Sequence, residues 1–361
     1  MNGESEFLAE LKVLEKHLKR QSSKVGVAQC GVYSMAGNRP PWQATEIQVK
    51  QGQWYSFLAG GRLGWGNGLG AGVRLHLWGR IGADGHVFNC PGETGTFQAA
   101  SSGVLNLGIL HGFWATREGR LGVPESVYQT LTGSIDVLVV VWEINPLEGL
   151  TAVQAAGVNH PILDLEINRL KTPQQPPGGW HYLWELGPTT IFTPGREGGR
   201  DLIRVDGRDD MGIIQYPLDL PLEAETRLSW EWRMTHLPGR AAEDTVPTHD
   251  YLSIAVEFDN GQDLTWFWSV AMTPGEVFRC PISHWHARET HMVLRSGDEG
   301  LEEWHREERK LLEDYKTAIG DPPTRIVAVW LICVSNFGHG HAQGDFASIL
   351  LDTPTGQVRV V

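Results

Sequence analysis

Arg227-Leu-Ser-Trp-Glu-Trp-Arg233 alternates apolar with polar residues along its whole length. Leu228, Trp230 and Trp232 fall on one side of a pleated strand, whose side chains repeat every two residues, and Ser229, Glu231 and Arg233 fall on the other. A helix, with its period of 3.6, would scatter the same indoles around its surface. Thr265-Trp-Phe-Trp-Ser-Val270 repeats the pattern, and Leu252-Ser-Ile-Ala-Val-Glu-Phe258 between them is apolar enough to be buried on both faces.

Outward from this block the chain stays strand-like. Thr189-Thr-Ile-Phe192, Asp201-Leu-Ile-Arg-Val205, Met211-Gly-Ile-Ile214, Ile326-Val-Ala-Val-Trp-Leu-Ile332 and Phe346-Ala-Ser-Ile-Leu-Leu351 share the pattern in the second half. Thr45-Glu-Ile-Gln-Val49, Gln53-Trp-Tyr-Ser-Phe-Leu58, Gly103-Val-Leu-Asn-Leu107 and Ser134-Ile-Asp-Val-Leu-Val139 share it in the first. Turn signals such as Lys50-Gln-Gly52 and Ala83-Asp-Gly85 separate these runs, the mark of antiparallel sandwiches, and no βαβ unit interrupts them.

With 361 residues the chain exceeds what one hydrophobic core normally serves, so two domains are expected. Phe7, Leu11, Leu14 and Leu18 recur at helical spacing, predicting an amphipathic helix within residues 1–24 that docks on its own domain or on a partner subunit. A sandwich follows over 25–145. Asn145-Pro146 and Thr172-Pro-Gln-Gln-Pro-Pro-Gly-Gly179 place a packed linker at 146–180, and a second sandwich fills 181–361. Ser296 and Glu299 read as a capping box that starts a helix over 297–319, ending at Gly320 and Asp321-Pro-Pro.

Composition excludes several functions. A net charge of −13 repels nucleic acid and anionic lipid. The longest apolar run, Val137 to Trp142, is far short of a membrane span, and the N-terminus lacks a signal-peptide core, so a cytoplasmic protein is expected. Cys30, Cys90, Cys280 and Cys333 are too few and too scattered for a disulfide scaffold and read as buried thiols. Gly64-Trp-Gly-Asn-Gly-Leu-Gly70 lacks the Lys-Ser/Thr pair and following helix of a phosphate loop, so no nucleotide cofactor is expected.

Two resemblances add to this. Trp42-Gln-Ala-Thr-Glu-Ile-Gln-Val-Lys-Gln-Gly52, Ser56-Phe-Leu-Ala-Gly-Gly-Arg-Leu-Gly-Trp-Gly66, Phe97-Gln-Ala-Ala-Ser-Ser-Gly-Val-Leu-Asn-Leu107 and Leu131-Thr-Gly-Ser-Ile-Asp-Val137 resemble the PA-IL-like galactophilic lectin sandwich over about a third of the chain. That resemblance implies a calcium-dependent glycan site. Here Trp65 and Gly108-Ile-Leu-His-Gly-Phe-Trp114 stand where the family has its oxygen-rich calcium ligands, so the implied scaffold lacks the metal. From about residue 180 onward, Leu228-Ser-Trp-Glu-Trp-Arg233, His249-Asp-Tyr251, Trp268-Ser269, Arg295-Ser-Gly297 and Asp314-Tyr315 are similar to a bacterial domain family of unknown function, which implies a fold and no activity.

Candidate chemistry centres on histidine. His284-Trp-His286 and His339-Gly-His341 would each point two rings to one side of an extended strand, and His284, His286, His339 and His341 form the expected metal set for a divalent ion. The competing reading is four loop histidines near turns. Adding His249, His291 and Asp250 gives an alternative zinc or iron site of two or three His plus a carboxylate; His249, Asp250 and His284 form the expected acid/base set, and the acidic loop ahead of them supplies Glu243 and Asp244. A ligand-binding face is expected from Trp230, Trp232, Asp244, Tyr251, Trp268, Arg295 and Asn336, because indoles stack on sugars and enclose apolar molecules; ordinary core packing is the alternative for the indoles.

The expected protein is therefore mostly β, with two antiparallel β-sandwich domains of jelly-roll or galactose-binding-like form. It binds a small molecule or glycan, without nucleic acid or membrane partners, and self-association is a mild expectation. The rival is a lyase, hydrolase or cyclase that uses the His/Asp pocket with or without a divalent metal, and the residues alone leave binding and catalysis open.

Overall fold

The computed structural model describes residues 5–66 and 68–361. The fold is mostly β, with 46 % of residues in strands and 17 % in helices. The chain divides into two compact units, with the boundary at Gln174 and Gln175.

Unit 1 is a sandwich of a five-stranded and a four-stranded sheet. The strand Thr132–Trp142 sits between Val27–Ala36 and Trp54–Gly66, antiparallel to both. Period two explains its long apolar run. Ile135, Val137, Val139 and Val141 face the second sheet, where they meet Leu105, Leu107 and Ile109, while Leu138, Val140 and Trp142 face outward under a layer of helices.

The first of those helices, Glu6–Val25, docks on its own unit. Leu11, Leu14 and Leu18 are buried on Leu58, Leu138 and Val140. Ser5 caps the helix by accepting from the Leu8 amide at 3.0 Å, and its hydroxyl donates to Asp136 at 2.7 Å, so one residue both starts the helix and ties it to the sheet.

The segment expected to be a packed linker over 146–180 is mostly helical, and its residues up to Gln174 belong to unit 1. Pro146–Ala155 and Pro161–Lys171 are helices whose N-caps are the side chains of Asn145 and His160, accepting from Leu147 and Ile162. Asn145-Pro146 and His160-Pro161 are therefore cap-and-first-turn pairs, in which proline loses nothing because that amide has no helical partner. Glu166, fully buried, pins the second helix by hydrogen bonds to Thr96 and Arg169.

Unit 2 packs a seven-stranded sheet on a six-stranded one. The large sheet runs Tyr251–Phe258 between Arg325–Val334 and Asp263–Ser269, and then Glu289–Ser296 parallel to Asp263–Ser269, with Val277–Arg279 at the edge. This sheet is covered on both faces. Ile254, Val256, Trp266 and Trp268 point into the intersheet core with Trp230, Trp232 and Phe346. On the other face, Tyr251, Ala255, Phe267, Val293 and Trp330 pack under Leu183 and Trp285.

The helix expected over 297–319 is instead a turn, an edge strand and a short helix. Gly297, Gly300 and Glu302 all have positive φ (74°, 82° and 64°), which no α-helix accommodates, so Ser296 caps nothing there. His305–Lys310 then pairs with Arg227–Trp232 as a strongly charged edge strand, a composition that discourages sheet-to-sheet association, and only Leu311–Ala318 is helical.

Candidate metal centre

The second face of the seven-stranded sheet carries the polar groups that the fold leaves buried. On Asp263–Ser269 the odd positions Asp263, Thr265 and Phe267 share that face, and on Glu289–Ser296 so do Glu289, His291 and Val293. The edge strand brings Phe278 opposite His291, and Cys280, bonded through its amide to the Glu289 carbonyl, comes alongside. His249 reaches in from the turn that precedes Tyr251.

His249, Cys280, Glu289 and His291 each place one donor atom within 4.8 Å of the others. Four atoms that close share a centre no more than about 3 Å from each, against metal–ligand lengths of about 2.0–2.3 Å, so little movement closes a coordination shell. All four residues are buried, His249, Cys280 and His291 completely. Among the described residues this is the one group of three or more such donors close enough to hold an ion.

The hydrogen bonds orient the donors inward. The Nδ1–H of His249 donates to the Glu243 carbonyl at 2.6 Å, which leaves Nε2 as the acceptor facing the Cys280 thiol at 3.3 Å. Outer-shell support of this kind sets the tautomer of metal-binding histidines. Tyr251 donates to Glu289 Oε1 at 3.1 Å. His291 is unlike the rest, because neither of its ring nitrogens has a hydrogen-bond partner although the ring is wholly buried, with Nε2 3.5 Å from Glu289 Oε1. A buried imidazole nitrogen without a hydrogen bond forfeits about 1–3 kcal/mol, a cost that an ion bound to the ring would offset.

Electrostatics agree with a site short of positive charge. Burial pushes the Cys280 thiol up and Glu289 adds to the effect; burial likewise raises Tyr251. Burial alone would raise Glu289, but His291 and His249 outweigh it and hold the carboxyl well below the usual range. His249 is pushed down to about 4 by burial and by His291, and stays neutral. Asp263, fully buried beside Glu289, is raised by burial and by that neighbour, and its Oδ2 lacks a hydrogen-bond partner. A divalent cation would reverse the penalty on each anion at once.

Of the residues expected from sequence, His249 and Tyr251 belong to this centre, and His291 joins them. Asp250 turns away, and its carboxylate accepts from the amides of Phe337 and Gly338 at 3.0 and 2.6 Å, anchoring a loop. The expected metal set is not assembled. His284 pairs with Glu185 at 3.1 Å, the Nδ1–H of exposed His286 donates to the Cys280 carbonyl, His339 pairs with Asp209 and His341 with Asp206. Neither His-x-His pair lies on one extended strand: His284 and His286 share a turn, and His339 has φ of 53°. Trp230, Trp232 and Trp268 are core, at most 1 % exposed, rather than a binding face. Asp244 is exposed, whereas its neighbour Glu243 is buried on Ser269 and the Val270 amide. Arg295 pairs with Glu307, and Asn336 is buried in the loop anchored by Asp250. Cys280 and Glu289 lie outside the expected sets, although Glu289-Thr-His291 on a strand carries the same period-two signal as the His-x-His pairs.

Fold and centre together define a β-sandwich protein with a buried, mixed nitrogen, sulfur and oxygen donor cluster in its second unit. Residues 180–350 match the model of a family described as "Protein of unknown function (DUF3047)". No curated protein matches the chain. Among solved structures, it is similar to the N-terminal domain of EclA, a PllA-like lectin, at 16 % identity and a TM-score of 0.26, covering 32 % of this chain and 98 % of that one. It is also similar to the xyloglucanase domain of NopAA, a type three effector from Sinorhizobium fredii, at 11 % identity and a TM-score of 0.30, covering 48 % and 92 %. A third is the N-terminal CBM22-1-CBM22-2 tandem domain of Xyn10C from Paenibacillus barcinonensis, at 9 % identity and a TM-score of 0.23, covering 90 % and 92 %.

Proposed function

We propose that unit 2 is a metal-binding β-sandwich that holds one divalent transition-metal ion between His249, Cys280, Glu289 and His291. The observation that carries this reading is His291, a wholly buried imidazole whose Nδ1 has no partner and whose Nε2 has only an ion pair with Glu289 at 3.5 Å, inside a ready set of three further donors. Two imidazoles, a thiolate and a carboxylate suit Zn2+ first and Fe2+ or Co2+ next, and do not suit Ca2+ or Mg2+. Binding would displace the proton that Cys280 shares with His249, so affinity rises with pH.

Elemental analysis of protein purified without chelator tests this, followed by thermal unfolding with and without a strong chelator. The expected result is one metal per chain and a melting point lowered on chelation by about 5–10 °C, as for a ligand at a hundred times its Kd. Protein free of metal that also takes up no added Zn2+ removes the reading.

A second reading applies to unit 1, where a glycan-binding role rests on one corner. His76 is buried, its Nδ1–H donates to the Leu110 carbonyl at 2.6 Å, and its Nε2 is buried without a partner. The indole of Trp65 lies 5.5 Å from that ring and 5.4 Å from His111. An unsatisfied imidazole acceptor beside a half-buried indole would suit a sugar hydroxyl and a stacked ring once Trp65 moves aside to uncover it. A glycan array with and without calcium checks it, and the expected binding is independent of calcium.

A further inference from the structure

A cavity of about 30 Å³ lies against the cluster, and Glu289 and Tyr251 are the polar residues in its wall; the rest of the wall includes Ile213, Trp285, Ile332 and Val334. Of the four donors, only Glu289 lines it. His249, Cys280 and His291 close the other side of the cluster, packed by Phe278, which stacks on His291 at 4.9 Å and 10°. A space of that size holds a water or a ligand of two or three heavy atoms, since one water needs about 10–15 Å³.

We infer that the metal keeps one exchangeable coordination position, on the Glu289 side, which opens into this cavity and takes an exogenous ligand no larger than a triatomic. The inference rests on the metal-binding reading and goes past it, from a site that holds an ion to a site that presents that ion to a small molecule. Three features carry it. A water there would meet the two groups best able to hold it, the Glu289 carboxylate and the Tyr251 hydroxyl, whose hydrogen bond to each other is 3.1 Å long. A carboxylate is the donor that can shift between one and two bound oxygens and so make room, as zinc sites do when they expand from four to five ligands, whereas imidazole and thiolate bind through a single atom. The remaining walls are apolar, which favours small, weakly hydrated ligands over strongly hydrated ones.

The position differs from an open catalytic cleft in what it excludes. Ile213, Ile332 and Val334 are buried and belong to the packed face of the sheet, so the cavity does not widen without moving strands. The ligand class is accordingly water, dioxygen, nitric oxide or a small linear anion, not a sugar or a peptide.

The test uses the full chain loaded with Co2+, whose visible absorption reports coordination number, with metal content measured on the same sample. Azide is titrated as the small ligand and imidazole as the oversized one. The expected result is a saturable shift of the Co2+ bands with azide and none with imidazole, and loss of the azide shift, with Co2+ retained, in Val334→Met, where the longer side chain fills the cavity. Co2+ bound one to one with bands that azide leaves unmoved would overturn the inference and leave a closed four-donor centre. An equal response to imidazole, or an undiminished azide shift in Val334→Met, would overturn the assignment to this cavity. Failure to take up Co2+ at all is read separately, by metal content, and defeats the metal-binding reading itself.

Discussion

Tyr251 and Glu289 meet through a 3.1 Å hydrogen bond that is buried, the phenol donating and the carboxylate accepting, although 38 residues separate them in sequence. Tyr251 opens the strand at the centre of the sheet and Glu289 opens the strand two places away, so this contact links the loop that carries His249 to the strand that carries His291.

Tyr251→Phe removes the outer-shell donor and leaves the metal donors in place. Metal affinity is expected to fall by about tenfold, the lower end for loss of outer-shell support, with one metal per chain still bound at saturation. Cys280→Ser removes a donor itself and is expected to cost more. Competition against a chromogenic chelator measures both, and equal losses would place Tyr251 among the ligands.

Asp250→Asn tests the separation of the loop anchor from the centre. An amide can accept from only one of the Phe337 and Gly338 amides and sets its own N–H against the other, a loss of about 1–3 kcal/mol. Chemical denaturation is expected to show that loss while metal stoichiometry stays unchanged; a variant of full stability without metal would return Asp250 to the site.

In unit 1, Arg169→Ala strands the buried carboxylate of Glu166. Breaking a buried pair from one side costs about 3–5 kcal/mol, discounted here because Arg169 is 24 % exposed. Glu166→Leu removes the charge along with its burial cost and is expected to be milder. If the two variants unfold at the same denaturant concentration, Glu166 is not held as a charged group.

The pH dependence of unit 1 follows from His76. Burial, with His111 and Arg62, lowers it to about 4 from an ordinary 6.5, so between those values the unfolded chain binds the extra proton. Stability is then complete above pH 6.5 and falls as pH drops toward 4, by about 3 kcal/mol in all. Urea unfolding at pH 7.5 and 4.5 should show the loss, and His76→Gln should remove it.

Much of the fold is legible in local pattern. Alternation at Leu228, Trp230 and Trp232 predicts a strand because the side-chain period of a pleated chain is a property of neighbouring residues, and the structure has that strand at Arg227–His236. The misreadings are also local in origin. Asn145-Pro146 looks like a break and is a helix start, and Ser296-Gly-Asp-Glu299 looks like a helix start but passes through left-handed backbone at Gly297.

The candidate site is less legible, because its donors come from segments that know nothing of one another in sequence. His249 and Cys280 lie 31 residues apart and touch only because the strand order sets Asp263–Ser269, Glu289–Ser296 and Val277–Arg279 side by side beyond Tyr251–Phe258. The amino-acid order alone settled that Glu289 and His291, like Trp230 and Trp232, lie on one side of a strand, since period two is set by the backbone. Which side faces a packed core and which gathers a cluster of donors is decided by long-range pairing and layer packing, so tertiary structure turned the indoles into core and four scattered polar residues into a centre.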